Sequence, residues 1–275
     1  MRLPSLLLCL FLCSPLLAAD TGAEAGAEPA PETTPSAPAT PEANAASAAD
    51  SSDSDLYWQS QDWQDAGQAK QVGDQVTLLH KSNQGYRLGL ALLLPDWQQV
   101  ADLLPLSRSL NDQGFDTLIM LPSPHQLALD PNDEKDQPAI EAFRELWQRK
   151  LTSLQENSGD SSGYQLMIAA GSSATWLSGL LSTEALAPPD ALVLVDAFYP
   201  AQDANEILAH EIASTPFPIL DLYREHQVSW LDLAAKARRL EVERNSKLDW
   251  RQIPLSDSDE RDDQVAGWLR HLGWK

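Results

Sequence analysis

The chain has 275 residues and a formal net charge of −21, from 40 acidic and 19 basic side chains. This excess of negative charge argues against a protein that binds nucleic acid or an anionic lipid surface. The two cysteines, Cys9 and Cys13, both lie near the N-terminus. The remainder of the chain therefore offers neither a disulfide nor cysteine ligands for zinc.

Residues 1–19 have the layout of a secretory signal peptide, because Arg2 precedes an apolar run at residues 3–17 and two alanines follow. The run is about 15 residues long, shorter than the roughly 20 that a membrane-spanning helix needs. No later stretch is long enough either, so no transmembrane segment is predicted in the mature protein. The sequence predicts export, with a periplasmic location. Leu12 precedes Cys13 where a lipidated cysteine usually follows a small residue, so lipid anchoring is not expected.

Residues 20–55 are rich in Ala, Glu, Pro, Ser and Thr and contain no large apolar side chain. Such a segment cannot bury enough apolar surface to offset the entropy lost on ordering. It is predicted to be a disordered, acidic tether. Residues 56–275 suffice for one large α/β domain with its own core.

The folded part begins with a predicted antiparallel hairpin, in which a strand at residues 75–80 is followed by a turn at 83–85 and a second strand. Apolar runs typical of buried strands then alternate with segments whose apolar residues recur at helical spacing. The further strands are expected at residues 87–94, 116–121, 166–169, 191–195, 218–222 and 250–253. A helix with Pro105 in its first turn follows the first of these strands. The alternation predicts an α/β fold with a mostly parallel central sheet, helices on both faces and no large cap domain.

The most informative stretch is residues 165–181, where an apolar run ends in five small residues and a helical pattern follows. Only small side chains let a helix turn back sharply against the strand it leaves, as in a nucleophile elbow, whose tip carries a catalytic Ser. Ser172 stands at the expected tip. The pattern Ala-Gly-Ser-Ser-Ala lacks the flanking glycines of Gly-x-Ser-x-Gly. Ser172 and Ser173 therefore have an alternative interpretation, as small residues that the turn requires or as caps of the helix.

The order of these elements resembles the α/β-hydrolase fold. More narrowly, the signal peptide and the tether occur together with Leu-Val-Leu-Val-Asp-Ala at 192–197, Leu-Asp-Leu-Tyr at 220–223 and Gly-Trp-Leu at 267–269. This combination is similar to an uncharacterised family of exported α/β-hydrolase-like proteins of Gram-negative bacteria. The narrower resemblance implies no established reaction.

The resemblance to the hydrolase fold implies a nucleophile and an oxyanion hole. Ser172 would be the nucleophile, and the backbone N–H of Ser173 would be one oxyanion donor. The second donor would be the N–H of Asp96 or Trp97, because Pro95 has none.

The same resemblance implies an acid and a base, and the base is missing from its usual place. Asp196 or Asp221 would be the triad acid. The base should be a His after the last strand, but residues 255–259 contain none. His226 and His125 follow other strands and are the alternative bases, since both are expected on the carboxyl side of the sheet.

The leading hypothesis from the sequence is an exported α/β-hydrolase-fold protein with a degenerate triad, which acts by binding a small molecule or an envelope protein. The alternative is a working serine hydrolase that cleaves an ester, acyl or peptide-like bond. A third possibility is a structural role, in which the tether extends the domain towards an envelope complex. No cofactor or metal is expected, because the sequence has no phosphate-binding or dinucleotide motif, and the acidic run at 257–263 lacks the glycine and final Glu of a calcium loop.

Overall fold

The computed structural model describes residues 68–72, 75–96, 100–122, 125–129, 135–157, 162–225, 229–256 and 259–274. All of them fall within one compact unit of the chain. The predicted signal peptide at 1–19 and the tether at 20–55 lie outside the described residues, and so do Trp97 and His226.

The described strands form one eight-stranded sheet in the order β1-β2-β4-β3-β5-β6-β7-β8. Their bounds are β1 (Gln68–Val72), β2 (Gln75–His80), β3 (Gly89–Leu94), β4 (Phe115–Met120), β5 (Tyr164–Ala170), β6 (Ala191–Val195), β7 (Ile219–Arg224) and β8 (Trp250–Leu255). The pairs β1–β2 and β2–β4 are antiparallel, and all other neighbours are parallel. The predicted mostly parallel sheet with an N-terminal antiparallel pair is therefore confirmed.

The partner strand in the hairpin differs from the sequence prediction. The structure pairs β2 with the preceding strand β1, whereas the turn at 83–85 leads on to β3, which lies between β4 and β5. Every residue of β3 is buried. A strand that is apolar on both faces requires a central place in the sheet, so β3 cannot be the outer partner of β2.

Helices cover both faces of the sheet, as predicted. They are α1 (Val100–Asp112), α2 (His125–Ala128), α3 (Gln137–Asn157), α4 (Ser173–Ser182), α5 (Gln202–Ser214), α6 (Ser229–Asn245) and α7 (Asp259–His271). One core cluster joins the sheet to α1 and α7, and the other joins it to α3, α4 and α5. Pro105 lies inside α1 rather than in its first turn, because the helix begins at Val100. Within the described ranges, no helix is both long and apolar enough to cross a membrane.

The carboxyl ends of the parallel strands bring together residues that are far apart in sequence. Asp96 follows β3, Gly171 and Ser172 follow β5, and Asp196 follows β6. Parallel strands end at the same edge of a sheet, and ligands of such folds bind at that edge. The candidate site is therefore this edge.

Candidate functional site

A two-residue turn, Gly171 and Ser172, joins β5 to α4. Gly171 has a φ of +52°, in the left-handed region that residues with a side chain avoid. Ser172 has an ordinary φ of −64° and precedes the first residue of α4. In a nucleophile elbow the nucleophile itself occupies the strained position. That position belongs to Gly171, one residue before the tip that the sequence analysis assigned to Ser172.

The spacing of small residues agrees with this register. With Gly171 at the tip, Ala169 lies two residues before it and Ser173 two residues after it, which are the places of the glycines in Gly-x-Ser-x-Gly. Both Ala169 and Ser173 are fully buried. The elbow therefore keeps its small flanking residues, and glycine stands where the nucleophile would be.

The carboxylate of Asp96 occupies the space next to Gly171. A Cβ atom built on Gly171 would lie 2.1 Å from Asp96 Oδ2 and 2.9 Å from both Cβ and Cγ of Asp96. These distances are far below van der Waals contact. No side chain fits at the tip of the elbow while Asp96 keeps this position.

Ser172 donates two hydrogen bonds to Asp96. Its backbone N–H reaches Oδ2 at 2.9 Å, and its hydroxyl reaches Oδ1 at 2.9 Å. Ser172 is fully buried, and Asp96 is 9% exposed. The oxyanion donor of a hydrolase is the N–H of the residue after the nucleophile, which in this register is Ser172 rather than Ser173. Asp96 was expected to supply a backbone N–H here, but its side chain instead occupies the donor of Ser172.

Ser173 and Gln126 close the site from the side of α2. The Ser173 hydroxyl donates to the Pro95 carbonyl at 2.8 Å, and Gln126 Nε2 donates to Ser173 Oγ at 2.7 Å. The Gln126 carbonyl accepts from Trp176 Nε1 at 3.1 Å and from the Tyr199 hydroxyl at 3.3 Å. Gln126 is fully buried. Sequence reasoning missed it, because one Gln in a polar loop carries no signal of burial.

Asp196, one of the two candidate acids, forms an ion pair with Arg224. Asp196 has a φ of +48°, and its carboxylate accepts the Arg224 backbone N–H at 2.8 Å and Arg224 Nε at 2.6 Å. Its side chain is 5% exposed, against 28% for Arg224. These bonds join the ends of β6 and β7.

Asp221, the other candidate acid, lies inside β7 and pairs with Arg238 of α6. The Nε and Nη2 atoms of Arg238 donate to the two carboxylate oxygens at 2.8 and 2.9 Å, and both side chains are fully buried. Gln252 Nε2 also donates to Asp221 Oδ2 at 2.8 Å, and Arg238 Nη1 donates to the Ala197 carbonyl at 2.5 Å. Asp221 is thus the centre of a buried network that joins β7, β8 and α6.

The two candidate bases stay predictions. His226 lies outside the described residues, and His125 is described only as the first residue of α2, without its side chain. The described residues contain no group of three or more His, Cys, Asp or Glu side chains placed to hold a metal ion.

Residues 151–271 match the model of a protein family described as "Protein of unknown function (DUF3530)". The matched segment includes Gly171, Ser172, Asp196 and Asp221, but it begins after Asp96. No curated protein matches the chain.

Solved structures of esterases and hydrolases share the fold. Est1E from Butyrivibrio proteoclasticus is 10% identical, with a TM-score of 0.54 over 76% of this chain and 99% of that chain. A lipase/esterase from Lactobacillus plantarum is 7% identical, with a TM-score of 0.53 over 75% of this chain and 97% of that chain. Dienelactone hydrolase from Anabaena variabilis is 13% identical, with a TM-score of 0.51 over 74% of this chain and 96% of the hydrolase chain. At such identities the likeness concerns the fold alone. The chain therefore has an α/β-hydrolase-like fold, and the family model that its residues 151–271 match is described as one of unknown function.

Proposed function

We propose that this chain is an exported, periplasmic protein of Gram-negative bacteria that uses the α/β-hydrolase fold for binding and not for hydrolysis. The observation that carries the proposal is the position of the Asp96 carboxylate. It fills the space beside Gly171 and accepts both the N–H and the hydroxyl of Ser172. The expectation of export rests on the signal-peptide pattern of residues 1–19.

Serine hydrolysis requires a nucleophile at the elbow and donors for the negative charge that develops on the substrate oxygen. Gly171 supplies no nucleophile. The Ser172 N–H, which would otherwise stabilise the oxyanion, faces a carboxylate, and like charges at hydrogen-bond distance repel each other. The glycine at 171 thus leaves the first requirement unmet, and the Asp96 carboxylate opposes the second.

The arginine pairs of the candidate acids also support a degenerate triad. A triad acid orients the catalytic His by accepting its ring N–H. Asp221 has both carboxylate oxygens bound by Arg238, and Asp196 has both bound by Arg224. These bonds favour a structural role for both carboxylates. What remains of the site is a polar, hydrogen-bonded sheet edge, suited to binding a small molecule or an envelope protein.

A second candidate function is a serine hydrolase that uses Ser172 itself. One observation favours it: the Ser172 hydroxyl already donates to a carboxylate, Asp96 Oδ1, at 2.9 Å. A carboxylate in that place could accept the proton of an attacking serine, and His226 or His125 could do so too. The full burial of Ser172 argues against this function, because a substrate carbonyl must reach the nucleophile.

Reaction with a fluorophosphonate, followed by intact-mass measurement, distinguishes the two functions. We expect no adduct on the wild-type protein under conditions that label an active esterase to completion. Ser172→Ala removes the candidate nucleophile, and Ser173→Ala is the matched control, since it removes the neighbouring buried hydroxyl at the first residue of α4. A stoichiometric adduct that Ser172→Ala abolishes and Ser173→Ala retains would overturn the binding proposal. His226→Ala and His125→Ala would then identify the base.

A further inference from the structure

A cavity of about 370 Å³ lies where the carboxyl-terminal ends of α4 and α5 meet. Its volume is within the range of small-molecule sites. Helix α4 starts at the carboxyl edge of the sheet and runs back for about 15 Å, so the cavity lies well away from Asp96 and Ser172. The lining residues that matter for the argument are Ser182, Glu184, Leu186, Glu211, Pro216 and Phe217.

The charges around this cavity favour a cation. Glu184 and Glu211 line it, and no described lining residue is basic. Both helices end there without a basic residue in the last turn, and helix carboxyl termini carry partial negative charge. Lys247 Nζ donates to the carbonyls of Thr215 and Phe217 at 2.7 and 2.9 Å, so one positive charge lies near the cavity and is outnumbered by the two carboxylates.

Glu211 is held in a fixed orientation. Its Oε2 accepts the Ser178 hydroxyl at 2.6 Å, and its Oε1 accepts the Ser182 hydroxyl at 3.0 Å. A carboxylate has about four lone-pair directions, so each oxygen can accept a further donor. Two neutral hydroxyls orient the carboxylate, and it forms no ion pair within the part of the chain that the structure describes, so it can accept a charged N–H donor.

Glu184, whose side chain is exposed, has a fixed backbone conformation at the end of α4. It has a φ of +56°, and its N–H and that of Ala185 donate to the carbonyls of Leu181 and Leu180 at 3.2 and 3.0 Å. This helix end usually has glycine at the positive-φ position. Gln148 Nε2 donates to the Ala185 carbonyl at 2.8 Å and anchors the loop on α3.

We propose that the cavity binds an organic ammonium ion that carries a short apolar chain. Glu211 and Glu184 match the positive charge, and Leu186, Pro216 and Phe217 offer apolar surface to the chain. The group recognised is an alkylammonium, which a free amine and a lysine side chain both present. The inference does not depend on whether Ser172 hydrolyses a substrate.

Calorimetric titration of the mature protein with hexylammonium tests the site. We expect binding of hexylammonium, with no comparable binding of hexanoate or 1-hexanol, which have the same chain length. Glu211→Gln should weaken hexylammonium binding at least about 10-fold, because that is the usual loss of affinity when a hydrogen bond to a charged group is removed. Glu206→Gln makes the same charge change on α5 at an exposed position outside the cavity, and should change the affinity less than about twofold.

Three results would overturn the proposal. They are no binding at millimolar hexylammonium, equal affinity for 1-hexanol, and unchanged affinity in Glu211→Gln. If Glu211→Gln fails to fold, Glu184→Gln serves in its place, with the same expected direction. N-acetyl-lysine methylamide separates the two sources: tighter binding than hexylammonium assigns the site to a lysine of a protein partner, and weaker binding assigns it to a free amine.

Discussion

Gly171 turns the backbone through a φ of +52° directly beside the carboxylate of Asp96. Two separate costs would follow from a side chain at this position. A positive φ is unfavourable for a residue with a Cβ by about 1–2 kcal/mol. The contact with Asp96 Oδ2 at 2.1 Å adds a clash that one of the two groups must relieve.

We predict that Gly171→Ala lowers the free energy of unfolding by about 2–5 kcal/mol, the sum of the backbone cost and the overpacking cost. In an Asp96→Gly background the contacts with Oδ2, Cγ and Cβ of residue 96 are all gone, so the same substitution should cost only about 1–2 kcal/mol. Urea unfolding of the two single variants and the double variant measures the coupling. An equal cost of Gly171→Ala in both backgrounds would show that Asp96 does not limit the space at the elbow.

At the scale of elements, α6 is attached to the sheet through a charged residue in an otherwise apolar stripe. The buried residues of this helix are Leu231, Ala234, Ala235, Arg238 and Val242. Arg238 meets Asp221 of β7 there, with both side chains fully buried. A buried pair contributes little beyond well-packed apolar residues, but a single buried charge without its partner is costly.

Arg238→Met should therefore lower the free energy of unfolding by about 3–5 kcal/mol, because it leaves Asp221 buried and unpaired. The double variant Asp221→Leu with Arg238→Met should recover most of that loss. Arg244→Met is the control on the same helix: its side chain is 73% exposed, and we expect a change within about 0.5 kcal/mol. Thermal or urea unfolding makes the comparison. If Arg238→Met costs no more than Arg244→Met, the pair does not hold α6 on the sheet.

At the scale of the whole molecule, the connection from the antiparallel strand β2 to the parallel strand β3 is tied to β4 through Asp116. Its carboxylate accepts the Ser82 N–H at 2.9 Å, Lys81 Nζ at 3.2 Å and Arg87 Nε at 3.0 Å. Burial raises the pKa of Asp116, but the Ser82 N–H and the two cations outweigh it and lower the pKa below its ordinary 3.8. A carboxyl whose folded pKa is depressed stabilises the protein above its unfolded pKa, and this stability is lost as the pH falls through the folded pKa.

We predict that Asp116→Asn lowers the free energy of unfolding at pH 7 by about 1–2 kcal/mol, because Asn keeps one acceptor oxygen but loses the charge that faces Lys81 and Arg87. The difference from wild type should shrink below about pH 4, where unfolded Asp is protonated. Urea unfolding from pH 7 to pH 3 measures it. Glu141→Gln, at an exposed position of α3, should follow the wild-type slope. A constant difference at all pH values would mean that the charge of Asp116 does not contribute.

The elements of the fold could largely be predicted from the sequence, because their signals are local. The apolar runs that became β3 and β6, and the small residues around Gly171, identify buried strands and a sharp turn without knowledge of any partner. The pairing of β2 could not be predicted in this way, since the polar strand β1 has no apolar pattern of its own and is defined by its neighbour.

The amino-acid sequence by itself determined the α/β class, the alternation of strands and helices from β3 onwards apart from the short helix α2, and the place of the elbow near Gly171. Only the tertiary structure decided what the elbow contains. Asp96 is 76 residues away from Ser172 along the chain, and Arg238 is 17 residues away from Asp221. Such contacts depend on strand order and on which face of a helix turns inwards, so no local pattern reports them. Periodicity indicates which residues are buried, whereas the partner of a buried charge is selected by the packing of the whole sheet.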